Sequence, residues 1–129
     1  MALQLGVLAR NAQLDNMNTQ LGATATIKIF TGAVPVNCAA ADPAGGLVAI
    51  ALTNPVFATA ASGAIAKSAG AWSANATAAE TALSYRMYDS SAVCQQQGNV
   101  STDLVLNNTS IAIGQTVTVT TYAITAGNA

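Results

Sequence analysis

The sequence has no histidine, four basic residues and five acidic ones. Its charged fraction is 7%, against a typical value of about 25%. Each shortage removes a class of function. Without histidine there is no imidazole base, no Ser-His-Asp triad and no histidine-ligated metal. Four scattered cations, Arg10, Lys28, Lys67 and Arg86, make no basic field able to displace counterions from phosphates, so no nucleic-acid partner is expected. Aromatic residues amount to 5%, and alanine is the largest contributor to the 52% hydrophobic fraction. Low net charge with abundant β-branched residues is the reverse of the disordered signature. A surface so poor in charge protects a free monomer weakly against association. The chain is therefore expected to work packed against copies of itself or another protein.

Two cysteines, Cys38 and Cys94, lie far apart and form no CxxC. Two thiols fall short of the four ligands of a structural zinc site, so neither a metal nor a cofactor is expected. Buried free thiols and a disulfide both remain open readings.

No membrane role is expected. The uncharged runs Pro43 to Ala66 and Leu104 to the end are long enough to span a bilayer on length alone. The first is broken by Gly45-Gly46 and Asn54-Pro55, and the second is full of Asn, Gln and Thr. Both read as strands and loops. Met1 to Ala9 is apolar but lacks the basic start of a secretory signal, and Arg10 follows it in the wrong order.

What is present reads as one helix followed by strands. From about Leu8 to Leu21, Val7, Leu14 and Leu21 sit seven apart and Met17 joins their stripe, with Gln13, Asn16 and Gln20 on the other face. Gly22 follows as a C-cap. The period then becomes twofold. Ala25, Ile27 and Ile29 oppose Thr26, Lys28 and Phe30. Leu47 to Leu52 is apolar on both faces, as a strand covered on two sides would be. Leu83, Tyr85 and Met87 alternate with Ser84, Arg86 and Tyr88, a half-buried pattern. Val93 to Val100 and Leu104 to Leu106 are further strands, and Asn107-Asn108 reads as a turn. In the final segment Ile111, Ile113, Val117 and Val119 share one phase, while Tyr122 and Ile124 take the other. A bulge near Thr120-Thr121, or a move from one sheet to another, would explain the switch.

Turn residues between these runs predict a mainly β single domain over 1–129. An antiparallel β-sandwich or barrel over 23–129 would be preceded by an N-terminal arm and one α-helix over 1–22.

Catalytic patterns are missing. No GxxxxGK[ST], GxGxxG or GxSxG occurs. Glu80 and Asp89 sit among turn residues rather than in an apolar pocket. The chain is not expected to be an enzyme. Trp72 reads as a core side chain or an interface anchor. A sugar-binding module would need Trp72, Tyr85 or Tyr88 exposed.

Several segments carry a resemblance. They are Arg10-Asn11-Ala12-Gln13-Leu14-Asp15, Ile27-Lys28-Ile29-Phe30-Thr31-Gly32-Ala33 and Asn37-Cys38-Ala39-Ala40-Ala41-Asp42. Tyr85-Arg86-Met87-Tyr88-Asp89-Ser90, Cys94 leading to Gln97-Gly98, and Ala126-Gly127-Asn128-Ala129 complete them. In order and spacing they resemble a family of small structural virion proteins of tailed bacteriophages. The resemblance implies a particle component assembled in a bacterial cytoplasm, with the major capsid protein, other virion proteins and itself as partners. It places both cysteines in corresponding stretches, and so implies that they meet in space.

The leading expectation is a capsid decoration or cement protein that stabilises the head lattice. A tail component (tube, adaptor or receptor-binding appendage) is the alternative. The apolar arm Met1, Leu3, Leu5, Val7 and Leu8 is the expected protein contact, since apolar residues ahead of a helix need cover, with a pure core role as the other reading of that segment.

Overall fold

Residues 4–125 are described by a computed structural model. Helix α1 spans Val7–Leu21 and buries Leu14 and Leu21. Gly22 ends it with φ +78 and donates its N–H to Asn18 O at 3.2 Å. A side chain at that glycine would be strained by the backbone and would strike Ser90 Oγ at 2.4 Å. Ser90 holds the same corner, because its Oγ donates to Leu21 O and accepts from Thr24 N–H. Met17 packs partly against the core, as its place on the stripe predicts. Val7 does not. It is exposed, because it lies in the first helical turn, beyond the tie that Asn11 makes with Gly63.

The strands are β1 (Thr26–Phe30), β2 (Gly46–Ala51), β3 (Ala64–Ala66), β4 (Ser73–Asn75) and β5 (Glu80–Thr81), followed by β6 (Ser84–Tyr88), β7 (Cys94–Asn99), β8 (Leu104–Leu106), β9 (Ser110–Ile111) and β10 (Thr116–Thr125). One antiparallel sheet runs β2-β1-β6-β7. A second runs β3-β10-β4, with β8 also paired to β10, and β5 pairs with β9. The mainly β, sandwich-like fold preceded by a helix is the one the turn-punctuated strand pattern predicts.

One hydrophobic cluster joins the two larger sheets and α1. Ile27 and Ile29 stand opposite Ile50 and Val48 on one side, and Met87 and Tyr85 on the other. Val117, Val119, Tyr122, Leu104, Leu106 and Ile65 enter the same cluster from the second sheet. The rings of Phe57, Trp72 and Tyr122 meet at its centre, with centroids about 6 Å apart. The pairing of β10 with β8 shifts register between Val119 and Thr121, so of the two explanations of the change of phase it is the bulge that the fold uses.

Three strand readings change. All five residues of β6 are buried rather than alternate ones, because residues 31–45 fold back over the outer face of its sheet. Phe30 and Tyr88 lie in that second, outer layer, buried but apart from the main cluster. Strand β2 is covered on one face only, since Ala49 and Ala51 are exposed. The hydrogen bonds of the 31–45 segment to the sheet reach β6 and β7, so Ala49 and Ala51 on the edge strand stay uncovered, although Leu47 O accepts from Thr77 N–H at 2.9 Å. Ile113 is exposed, because the chain turns at Ala112–Gln115 and the long final run splits into β9 and β10.

Candidate functional site

Polar chemistry concentrates where residues 31–45 cross the four-stranded sheet. Strand alternation turns Ser84, Arg86 and Tyr88 outward from β6, and Lys28 and Gln97 flank Arg86 on the neighbouring strands. Arg86 donates from Nη1 to Asp42 Oδ1 at 2.7 Å, from Nη2 to Asn37 O at 3.0 Å and from Nε to Gln97 Oε1 at 3.1 Å. Tyr88 donates its hydroxyl to the same Asp42 oxygen. Ser84 Oγ donates to Gly32 O, and Gln97 Nε2 to Pro35 O. Side chains of β6 and β7 thus hold residues 31–45 down as a flap.

The Tyr88 hydroxyl, with Arg86 and Lys28 further off, holds the Asp42 carboxyl below its ordinary value despite partial desolvation. Desolvation opposes the charge on Arg86, but Asp42, Cys94 and Tyr88 outweigh it and raise the guanidinium further. Burial and the Asp42 carboxylate push the Tyr88 phenol up. At neutral pH the cluster is an ion pair with a neutral phenol donating into it. Such an arrangement positions chain; it offers no free base.

Cys38, in the flap, and Cys94, opposite Tyr88 on β7, are half-buried free thiols. The Cys94 thiol is pushed up to about 12, by desolvation first and then by Cys38, and its Sγ lies 3.4 Å from Gln96 O.

A second polar chain ties the layers together inside the molecule. Tyr85 OH donates to Tyr122 OH at 3.0 Å, and Tyr122 OH donates to Gln96 Oε1 at 2.6 Å. Gln96 Nε2 reaches Met17 of α1. Burial pushes both phenols up, so both remain donors at neutral pH.

The other residues singled out in the sequence are dispersed. Trp72 is fully buried, with Nε1 donating to Thr53 Oγ1 at 3.1 Å, which makes it a core ring rather than an interface anchor. Tyr85 and Tyr88 are buried too, so none of the three rings is open to stack on a sugar. Asp89 caps its own turn, accepting from Ser91 N–H, Val93 N–H and Gln95 Nε2, while Glu80 stands exposed on β5. In the N-terminal arm, Met1 and Leu3 lie outside the described residues. Leu5 is half-buried, Val7 is exposed, and Leu8 is 81% exposed.

The arrangement missed from sequence is the polar seam under α1. Asn11 Oδ1 accepts from Gly63 N–H, and Asp15 Oδ1 from Ala60 N–H. Asn18 accepts from Phe57 N–H and donates to Phe57 O. Their spacing of four and then three places them on one helix face, and that spacing is the signal that could have found them. Among the described residues, no three Cys, Asp or Glu side chains gather as a metal site would require. No helix there is long and apolar enough to cross a membrane. Compared with family models, with curated proteins and with solved structures, the chain finds no match.

Proposed function

We propose that the chain is a structural protein of a tailed-bacteriophage particle, a decoration or cement protein that binds the outside of the assembled head lattice. The observation that carries this reading is the division of side chains between interior and surface. All four cations lie against the chain's own groups. Arg86 holds the flap, Lys28 stands over Tyr88, Lys67 stands over Trp72 and Arg10 packs against Gly63. The aliphatic side chains Leu8, Val36 and Ile113 meanwhile face solvent. A surface with few free charges and bare aliphatics suits permanent contact with another protein better than life as a free monomer. The segments resembling small virion proteins support the same reading.

The mechanism is linkage. A protein that binds the assembled lattice and not its dissociated subunits stabilises the lattice by its binding free energy. Repetition over many equivalent sites makes modest contacts collectively strong. The first turn of α1, with Val7 and Leu8 exposed, is the contact we assign to the lattice.

Peptide mass spectrometry on virions carrying this chain, with heads and tails separated, tests the proposal. Recovery with the heads in many copies is the expected result. Recovery with the tails would replace it by a tail component, and absence from both would remove the virion role.

A further inference from the structure

A cleft of about 380 Å³ opens between β7 and the C-terminal end of β10. Both of its walls are strand edges with backbone groups to spare. β7 ends its sheet and pairs with β6 alone. Asn99 bonds its N–H and its C=O to Asp103, away from β6. Two residues back, Gln97 turns its own N–H and C=O the same way, and among the described residues they meet no partner. On the facing wall Tyr122 O accepts from Lys67 N–H on the β3 side, so alternation turns the N–H and C=O of Ala123 to the cleft side. β8 follows β10 only as far as Tyr122 and leaves them unpaired. β7 also lacks the charge or proline that blunts an exposed edge.

Asp103 lines the same cleft. Its Oδ2 accepts from Asn99 N–H at 2.9 Å, which leaves Oδ1 for a donor from outside. Gly98 makes the room, because a side chain there would meet Asp103 Oδ2 at 2.7 Å and Tyr85 OH at 2.8 Å. Burial first, with the Asp103 charge adding to it, keeps the Tyr85 and Tyr122 phenols neutral. Asp103 is therefore the one anion of the cleft among the described residues, and it enters no ion pair there. The chain's four cations are engaged elsewhere. Arg86 holds Asp42, Lys28 stands over Tyr88, Lys67 donates to Ser68 O and Gly70 O, and Arg10 packs against Gly63. A second copy has no free side-chain cation to bring, so the matching charge has to come from a different protein.

We propose that the cleft takes an extended segment of a different protein as an added strand between β7 and β10, with a lysine of that segment seated on Asp103. The unpaired groups of Gln97 and Ala123 bond to any extended backbone and so supply affinity, while Asp103 selects the sequence. An ammonium fits the position, since its three donors can reach Oδ1 and the Thr102 hydroxyl that also lines the cleft. The cleft shares no residue with the first turn of α1, so this contact is tested apart from the head-lattice contact.

The test uses the folded full chain, isotopically labelled for amide NMR and titrated with a blocked heptapeptide alternating valine and lysine. A second titration uses the same peptide with glutamate in place of lysine. The lysine peptide is expected to shift the Gln97, Asp103 and Ala123 amides and to slow hydrogen exchange at Gln97 and Ala123. The glutamate peptide should bind about tenfold more weakly or worse. D103N, which keeps an acceptor for Asn99 N–H, should lose the preference while the rest of its spectrum is unchanged. Equal affinity of the wild type for the two peptides, shifts confined to other surfaces, or no shift at millimolar lysine peptide would each overturn the proposal.

Discussion

Arg86 and Asp42 form a lopsided ion pair: they bond at 2.7 Å, yet the arginine side chain is 2% exposed and the aspartate 44%. The cation is the structural member, and the anion is the latch that the flap brings to it. Removing one partner of a buried pair costs about 3–5 kcal/mol because the other is left uncompensated. Here water can enter beside Asp42, and Arg86 keeps its bonds to Asn37 O and Gln97, so we expect about 2 kcal/mol for Asp42→Ala. Asp42→Asn, which keeps an acceptor oxygen, should fall between. Urea midpoints measure both, and amide exchange over 31–45 should rise in each variant while the core strands stay protected. Equal protection of flap and core in Asp42→Ala would show that the latch holds nothing.

Acid should open the same latch. The folded pKa of Asp42 lies below its ordinary value, chiefly through the Tyr88 hydroxyl and then Arg86. A group depressed in the folded state contributes stability that is full above its unfolded pKa, about 3.9 for aspartate, and lost as pH falls through the folded value. Asp89 is depressed as well, by the Val93 amide first and then Gln95, so it adds acid sensitivity of its own at the β6–β7 turn. The comparison that isolates Asp42 is wild type against Asp42→Asn. Their urea midpoints should differ most at neutral pH and converge below about pH 4. A constant gap down to pH 2 would remove Asp42 from the account.

Under α1, the Asn18 side-chain amide pairs with both backbone groups of Phe57, as a neighbouring strand would. Asn18→Ala leaves that N–H and C=O without these partners, so a loss of about 2 kcal/mol is expected. Asn16 is exposed, and Asn16→Ala should stay within about 0.5 kcal/mol. Thermal melts of the two variants, checked by circular dichroism, make the comparison. Similar melts would mean that apolar contacts alone dock the helix.

The helix itself was legible, because Leu14, Met17 and Leu21 recur at helical spacing and Gly22 follows. Its docking was not. Asn11, Asp15 and Asn18 reach the backbone of a loop, and no periodicity reveals which loop lies beneath a helix. The strands show the same division. β1 and β8 follow from alternation alone, and the phase change in β10 narrowed to a bulge or a change of sheet, whereas complete burial of β6 needed the flap. A charged residue set between Tyr85 and Met87 was the available sign that something covers it, since a buried arginine requires partners. Several of the segments on which the virion proposal draws fall at these joints: Arg10 to Asp15 on the helix seam, Asn37 to Asp42 in the flap, and Tyr85 to Ser90 on β6.

Trp72 offers an internal reporter, being the only tryptophan. Its ring is buried against Phe57 and Tyr122, with Lys67 Nζ 5.5 Å from its centroid. Its emission should be blue-shifted, resist iodide quenching, and stay unchanged when the chain binds a partner. Trp72→Ala should cost about 3–5 kcal/mol, read from denaturant unfolding followed by circular dichroism. Ready quenching in the native state would return Trp72 to the surface and reopen the interface reading.

The lattice contact is the sharpest expectation to separate from folding. Leu8 is exposed in the first turn of α1, so Leu8→Lys removes no described core contact and keeps helix propensity close to that of leucine. Its stability should therefore stay within about 0.5 kcal/mol of wild type. If the first turn is seated on a capsid, the same change places an ammonium in a desolvated apolar contact. Lattice binding should then fall at least tenfold, a difference of about 1.4 kcal/mol, with Val36→Lys in the flap as a matched control. Co-sedimentation of each variant with capsids stripped of the protein gives the answer. Loss with Leu8→Lys alone assigns the contact to the helix, and loss with Val36→Lys alone moves it to the flap. Unchanged binding in both would strip these exposed aliphatics of any part in the contact.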